Sequence, residues 1–211
     1  MKKMIELVLG FLLLAGLTPA VSQELTAVSR LPRVEDPPKD PDLAKLFQQI
    51  REKGGQPLNL QLTIGNAPKI NKATLALSYA LRFDSITPRK LRELTIIRTA
   101  QIADSDYELA QHYPLAKACG YTMAQLEGLP NWKSSSEYQP IEKALLAYIE
   151  EVAAGKGVDD KTFETLSGFF NPQEIIEVTV TIGSYYSTAL LTKALKVKIE
   201  GDGRAPAPGS C

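Results

Sequence analysis

Residues 87–103 read Thr-Pro-Arg-Lys-Leu-Arg-Glu-Leu-Thr-Ile-Ile-Arg-Thr-Ala-Gln-Ile-Ala, and this stretch decides the fold. Thr87-Pro88 is typical of a helix start, because proline is tolerated at the first helical position. The apolar residues recur at helical spacing but cover more than one side of the helix, as in a central, buried helix. We therefore predict a buried helix from Pro88 to about Ala103, with Glu93 pointing into the core or beside it.

Similar start and stop signals mark helices before and after this stretch. Asp40-Pro41 predicts a helix start and Gly54-Gly55 its end, while Ser105-x-x-Glu108 starts a helix that Cys119-Gly120 ends. Asn171-Pro172-Gln173-Glu174 starts the last helix, which we extend to Leu195 although Val178–Ile182 alone would suit a strand. The fold class predicted is all-α: one helical-bundle domain of about eight helices, over residues 40–197.

The N-terminal residues 1–22 have the pattern of a signal peptide. Lys2 and Lys3 precede an apolar run at residues 7–17, and small residues follow at positions 20–22. The run is shorter than the roughly 20 apolar residues of a membrane span. We expect export to the periplasm or outside the cell, with no stable membrane span in the mature form; a retained N-terminal anchor is the alternative.

Two segments flank the predicted domain. Residues 23–39 carry several prolines and predict an extended arm, and residues 198–211 are rich in Gly and Pro and predict a flexible tail. Acidic and basic residues are equally numerous, and no basic block or stripe stands out. This balance excludes a nucleic-acid-binding protein as the expected class.

The two cysteines are far apart in the sequence, and neither belongs to a Cys-x-x-Cys motif. A thiol on a tail and a thiol in a core make a poor structural cross-link. We therefore predict that Cys119 is a small buried apolar residue and that Cys211 is free or paired with another chain.

His112 is the one histidine of the chain, and it is the candidate for acid–base chemistry near neutral pH. Glu108 lies one helical turn before it and so shares its face of the helix. Glu93, on the preceding helix, reaches the same ring if the two helices pack together. Two carboxylates around one imidazole can orient the ring and move its proton.

Less specific interpretations of these residues stay open. Glu108 is also the natural capping-box partner of Ser105, and Glu93 can form an ordinary ion pair with Arg89 or Arg98. A single histidine in a helix is often a structural residue whose hydrogen bonds are satisfied. One histidine and two glutamates are a poor metal-ligand set, so we predict no metal and no cofactor.

Four stretches together resemble the carboxymuconolactone decarboxylase family, which includes the alkylhydroperoxidase-D-like proteins. They are residues 88–98, Asp106-Tyr-Glu-Leu-Ala-Gln-His112, Ala116-x-x-x-Gly120 and Glu174-Ile-Ile-Glu-Val-x-x-x-Ile-Gly-x-Tyr-Tyr186. Their order and spacing carry the likeness, which runs from about Leu31 to Val197. The resemblance implies an all-helical fold assembled into trimers or hexamers, with sites near subunit boundaries.

The resemblance also separates two branches of the family. In the peroxidase branch a Cys-x-x-Cys precedes the histidine and an upstream glutamate completes a proton relay. Glu93 and His112 match that glutamate and histidine, but Ser105 and Glu108 occupy the cysteine positions. Without a thiolate there is no peroxidase chemistry at this site, so the resemblance implies the non-thiol branch.

Two functional hypotheses follow. The first is a cofactor-independent lyase or isomerase for a small carboxylated lactone or related organic acid, with His112 as general acid/base, Glu93 orienting it and Glu108 assisting. Arg98, or alternatively Arg89, is then the carboxylate clamp, and the Tyr107 hydroxyl is a hydrogen-bond donor to the substrate. The second is a non-catalytic exported homo-oligomer that binds a small molecule or a protein partner, with the same residues as a structural network.

Overall fold

A computed structural model of the chain describes residues 29–207 and 211. Within these residues it contains nine α-helices, one π-helical turn, one 3₁₀ helix and no β-strand. The α-helices are α1 Pro41–Glu52, α2 Asn59–Ile64, α3 Pro68–Tyr79, α4 Arg89–Ile102, α5 Asp106–Ala118, α6 Met123–Gly128, α7 Pro140–Ala154, α8 Asp160–Ser167 and α9 Pro172–Leu195. The π-helical turn is Ala80–Asp84, directly after α3, and the 3₁₀ helix is Leu129–Ser134. The all-α prediction is confirmed, while the predicted signal peptide lies outside the described residues.

Helix α4 is the centre of the molecule and contacts α5, α7 and α9. Ten of its fourteen residues are buried, which confirms the central position that its apolar pattern predicted. Leu94 and Ile97 are completely buried and pack with Leu145 and Ile149 of α7 and with Ile182 of α9. A second, smaller core gathers around Phe47 where α1, α2 and α3 meet. No helix among the described residues has the length and apolar character to cross a membrane.

The strand-like residues Val178–Ile182 are helical, as the N-terminal signal of α9 predicted. The Asn171 side chain accepts a hydrogen bond from the Glu174 amide at 3.1 Å, and the Glu174 carboxylate accepts one from the Asn171 amide at 2.9 Å. This reciprocal capping box satisfies two amides that have no partner inside the helix. The helix then continues without interruption for 24 residues, so local capping prevails over the β-propensity of its middle.

The prediction for the cysteines was wrong. Cys119 and Cys211 form a disulfide, with their Cα atoms 5.3 Å apart. Cys119 lies at the C-terminal end of α5 and is partly exposed rather than buried in the core. The error came from treating the tail thiol as remote from the domain.

Residues 198–207, for which the sequence predicts flexibility, lie against α2 and the turn before it. The Arg204 guanidinium donates to the Pro57 carbonyl at 2.7 Å, and the Asn59 amide group donates to the Lys198 carbonyl at 2.8 Å. Residues 29–39, the described part of the predicted arm, have no helix or strand, and the Val34 amide donates to the Leu62 carbonyl at 3.0 Å. Both terminal segments thus contact α2.

Candidate active site

Glu93 of α4 and His112 of α5 are in direct contact. The Nδ1 atom of His112 lies 2.8 Å from the Oε2 atom of Glu93, which is hydrogen-bond distance. Glu93 is completely buried and His112 is only 5% exposed, so both groups are shielded from bulk water. The packing of α5 on α4 brings the two side chains together across nineteen residues of sequence.

The second oxygen of Glu93 binds Arg89, one helical turn earlier. The Arg89 Nε donates to Oε1 of Glu93 at 2.5 Å, so the ion pair expected as a structural alternative exists beside the histidine contact. Burial alone would raise the pKa of Glu93, but the charge and hydrogen bond of His112 and those of Arg89 hold it below its usual value. Glu93 is therefore ionised at neutral pH and accepts a proton-bearing Nδ1, which leaves Nε2 of a neutral His112 ring without a proton.

Glu108 faces the other ring nitrogen. Its Oε2 atom lies 3.8 Å from Nε2 of His112, close enough for charge interaction but too far for a hydrogen bond. Burial raises the pKa of Glu108 to about 7, and Glu200 adds to the rise, while His112 and Arg82 oppose it. Both protonation states of Glu108 are thus populated near neutral pH, as general acid–base catalysis requires.

The capping-box interpretation accounts for the backbone of Glu108 but not for its carboxyl group. The Ser105 hydroxyl accepts a hydrogen bond from the Glu108 amide at 3.4 Å. The Ser105 amide, however, donates to the Ala100 carbonyl, so the Glu108 side chain does not complete a capping box. Within residues 29–207 and 211 the Glu108 carboxyl accepts no hydrogen bond from protein.

Tyr185 of α9 packs against the His112 ring. The two rings meet edge to face, with centroids 5.0 Å apart and planes at 90°. Such a contact favours one ring orientation and covers the apolar edge of the imidazole. This contact could not be predicted from the sequence, because Tyr185 and His112 lie on helices that are far apart in the chain.

A cavity of about 480 Å³ opens beside this group. His112, Glu108 and Tyr107 of α5 line it, together with Tyr185 and residues of α2, α3 and the C-terminal segment. Glu93 does not line this cavity and lies behind the histidine ring. The arrangement places one imidazole nitrogen and one carboxyl group at a cavity wall, with a buried carboxylate that orients the ring from the protein side.

A model of a known protein family matches the part of the chain that contains His112 and its two glutamate neighbours. Residues 68–151, which run from α3 into α7 and include Glu93, Glu108 and His112, match the model of the carboxymuconolactone decarboxylase family. Over this segment the chain is similar to that family. No curated protein sequence matched the chain.

Solved structures of the alkylhydroperoxidase-D type share the fold of this chain. A peroxidase-related protein from Ralstonia eutropha, described as an alkylhydroperoxidase AhpD core, has a TM-score of 0.72 at 19% identity, covering 85% of this chain and 98% of that one. A putative antioxidant defence protein AhpD from Agrobacterium tumefaciens has a TM-score of 0.61 at 23% identity, covering 66% and 96%. The debrominase Bmp8 has a TM-score of 0.68 at 18% identity, covering 83% and 93%.

The structure does not place Arg98 at the cavity. Its Nη2 donates to the Glu150 carboxylate at 2.7 Å, and Trp132 donates to the same oxygen at 2.8 Å. Arg98 therefore joins α4 to α7 and the 3₁₀ helix and is unsuited to clamp a ligand at His112. Arg89 is also engaged, because it binds Glu93.

Arg82 is the cationic residue at the cavity, and the sequence analysis missed it. It lies in the π-helical turn Ala80–Asp84 and lines the cavity. Its single hydrogen bond to a described residue goes to the Ala207 carbonyl, and no carboxylate of the described residues is within salt-bridge distance. A π-helical turn often marks a functional site, but it depends on tertiary packing and leaves no clear sequence signal.

Tyr107 lines the cavity, as its proposed role in substrate binding requires. Its hydroxyl donates to the Glu200 carboxylate at 3.0 Å and accepts from the Leu60 amide at 3.2 Å. Burial, and then the charge of Glu200, raises the pKa of Tyr107. The hydroxyl is therefore engaged with Glu200, and a substrate must compete for it. Within the described part of the chain, no group of three His, Cys, Asp or Glu side chains is arranged as a metal site.

Proposed function

We propose that this protein is a cofactor-independent lyase or isomerase that acts on a small carboxylated lactone or related organic acid. The observation that carries the proposal is the buried Glu93–His112 hydrogen bond, which leaves Nε2 of the ring beside Glu108 at the cavity. An imidazole held in one tautomer, next to a carboxyl group that titrates near neutral pH, can both accept and deliver protons.

In a decarboxylation, the bond between the carboxylate carbon and its neighbour breaks, and its electron pair stays on the remaining fragment as an enolate or dienolate. Carbon dioxide leaves, and the fragment then takes one proton from the protonated form of His112 or Glu108. In an isomerisation, Nε2 of His112 removes a proton next to a carbonyl group and returns it to another carbon. Glu93 touches neither the cavity nor the substrate and acts as a positioning residue.

Arg82 supports the proposal because it supplies the charge that a carboxylated substrate needs. A guanidinium lining a cavity, without a carboxylate partner among residues 29–207 and 211, favours an anionic ligand. We assign to Arg82 the role of carboxylate anchor that the sequence analysis gave to Arg98.

A thiol mechanism is not part of the proposal. Both cysteines of the chain are consumed in one disulfide, and neither lines the cavity. A cysteine variant of the debrominase Bmp8 has been crystallised with 2,3,4-tribromopyrrole. That neighbour shows a small ring bound by the same fold, and it supports a small-molecule ligand here without indicating the reaction.

We further propose that the protein is exported and forms homo-oligomers. Disulfides persist in oxidising compartments, so the Cys119–Cys211 bond supports the periplasm or the extracellular space independently of the N-terminal pattern. Exposed apolar side chains on α9, among them Ile176 and Leu190, support a subunit contact along that helix.

The test is turnover by the native protein and by His112→Gln on lactones, β-keto acids and vinylogous acids. We expect the variant to keep its fold and assembly and to lose at least about a hundredfold in rate. Tyr113→Phe, on the same helix but away from the cavity, is the matched control and should keep full activity. Full activity of His112→Gln would refute the proposal. An inactive native protein whose histidine variant dissociates would favour the non-catalytic binding protein instead.

A further inference from the structure

Most of the cavity wall is apolar. The titratable groups of His112 and Glu108 lie 3.8 Å apart, and Arg82 lines the same cavity. The apolar wall comes from three helices: Leu58, Leu60 and Ile64 at α2, Leu75 and Leu77 of α3, and Val180 and Leu191 of α9. The carboxylate and the reacting atoms of a small lactone need to contact only His112, Glu108 and Arg82. The proposed function therefore assigns no part of a ligand to the apolar wall.

Two of the five Ser and Thr hydroxyls that line the cavity donate to carbonyls of their own helices. The Thr74 hydroxyl donates within α3, to the carbonyls of Ile70 and Asn71, and the Thr188 hydroxyl donates to the Ser184 carbonyl of α9. Their donors are therefore not available to a ligand. This makes the wall less polar than its residue types alone suggest.

The apolar surface continues from the cavity to the outside of the molecule. Leu77 is 41% exposed and Val180 is 38% exposed, yet both line the cavity. Large apolar side chains exposed at the rim of a concave site are typical of a surface that binds an apolar ligand. The cavity volume of about 480 Å³ lies within the range of roughly 300–1,000 Å³ that holds drug-sized ligands.

From these features we infer that the ligand is an amphipathic carboxylic acid: its carboxylate binds Arg82 beside His112, and its hydrocarbon chain or ring lies along α2, α3 and α9. The inference rests on the proposed function for the position of the carboxylate. It goes beyond that function by assigning the remainder of the ligand to an apolar class. A compact, polar carboxylated lactone would leave most of the wall in contact with water.

Gly183 of α9 offers a way to change the cavity without disturbing the fold. It lines the cavity, and a Cβ atom added to it would meet nothing within 4 Å. A larger side chain at this position is therefore accommodated by the open space of the cavity. Gly183→Leu should fill that space, while Gly183→Ala adds only a methyl group and is the matched control.

The experiment measures binding of straight-chain carboxylates of four to ten carbons to the native protein by titration calorimetry. If each added methylene group is buried, Kd falls about two- to fourfold per carbon until the chain fills the cavity. Arg82→Gln should weaken every acid by at least about tenfold and leave the dependence on chain length in place. Gly183→Leu should weaken the long acids far more than the short ones, and Gly183→Ala should change neither.

An affinity that does not depend on chain length in the native protein would overturn the inference. So would equal losses for Gly183→Ala and Gly183→Leu, because the effect would then not come from filled volume. Failure of the proposed function looks different: length-dependent binding without any turnover refutes the lyase or isomerase and keeps the ligand class. Turnover of a small polar lactone, with no gain in affinity from longer acids, refutes the ligand class alone.

Discussion

At the scale of single residues, the site contains two buried carboxyl groups with opposite properties. Glu93 keeps its charge because His112 and Arg89 both donate to it, whereas Glu108 has lost water without gaining a comparable partner. The pKa of Glu93 is therefore lowered and that of Glu108 is raised. This separation supports the proposed roles, in which the ionised group orients the ring and the titrating group exchanges protons.

Glu108→Gln should reveal the raised pKa as a pH-dependent stability. A carboxyl group with a raised folded-state pKa stabilises the fold below its unfolded pKa, and this stability is lost as the pH rises through the folded value. A rise from 4.5 to about 7 corresponds to about 3 kcal/mol. The stability of the variant relative to the native protein should thus grow by up to about that amount between pH 4.5 and pH 8 in urea unfolding. Exposed Glu164→Gln is the control, and a constant difference for Glu108→Gln would contradict the assignment.

Glu93→Gln should show the opposite dependence on pH. Its lowered pKa stabilises the fold above the unfolded value, and that contribution is lost as the pH falls through the folded pKa. At pH 7 the variant leaves Arg89 buried without its carboxylate, which costs about 3–5 kcal/mol. The loss in free energy of unfolding, measured with urea, should be smaller at acidic pH. Adding Arg89→Met should recover part of it, and a double variant as unstable as the sum of both changes would argue against the pair.

The sequence predicted the contacts among Glu93, Glu108 and His112, but not those of Arg98 and Arg82. Helical spacing places Glu108 and His112 on one face, and a buried α4 turns Glu93 toward a neighbour, so this group followed from periodicity. The direction of Arg98 depends on the position of Glu150, which is 52 residues away. The position of Arg82 depends on a π-helical turn and on Ala207. Neither contact can be inferred from local patterns.

At the scale of elements, Gly183 and Gly55 differ in how closely other atoms approach them. At Gly183 a Cβ atom added to the backbone would meet nothing within 4 Å. At Gly55 an added Cβ would lie 2.8 Å from the Ala207 backbone nitrogen. Gly55 is therefore needed for the close approach of the C-terminal segment, whereas Gly183 is not needed for helix packing.

Gly183→Ala and Gly55→Ala should change stability in opposite directions. Alanine is favoured over glycine inside a helix, so Gly183→Ala should raise the free energy of unfolding by about 1 kcal/mol. Gly55→Ala should lower it, because the new methyl group pushes away the backbone of residue 207. Thermal and urea unfolding of both variants measure this. Two changes of the same sign would contradict the packing described here.

The C-terminal segment should become mobile when its disulfide is reduced. The Cys119–Cys211 bond closes a loop across 92 residues. A native disulfide typically stabilises the folded state by about 2–4 kcal/mol. We expect reduction to lower stability by that order and to increase amide exchange in residues 198–207. Cys211→Ser should show the same exchange with and without reductant, and unchanged exchange on reduction of the native protein would contradict the role of the bond.

Elements whose ends are capped locally were predictable, and those held by distant contacts were not. The proline-led starts of α1 and α9 are visible in the sequence, because the capping residues are neighbours in the chain. The packing of residues 198–207 depends on Asn59 and Pro57, some 140 residues earlier. Glycine and proline content indicates the absence of helix or strand, but it does not indicate whether a segment is packed.

At the scale of the whole molecule, the cavity joins two parts of the chain. Residues 68–151, which match the family, supply His112, Glu108 and Arg82, together with Glu93 behind the ring. Helix α2, helix α9 and the C-terminal segment lie outside that match and complete the wall. The proposed reacting groups thus come from the segment that matches the family model, and much of the remaining cavity wall comes from elements around it.

The ¹⁵N NMR spectrum of His112 as a function of pH tests directly whether Glu93 orients the imidazole ring. Only one imidazole contributes signals, since the chain has one histidine. If Glu93 fixes the tautomer of His112, the neutral ring carries its proton on Nδ1, toward Glu93, and Nε2 responds when a carboxylic acid binds. A neutral ring protonated on Nε2, or a ring whose signals Glu93→Gln leaves unchanged, would rule out this role of Glu93.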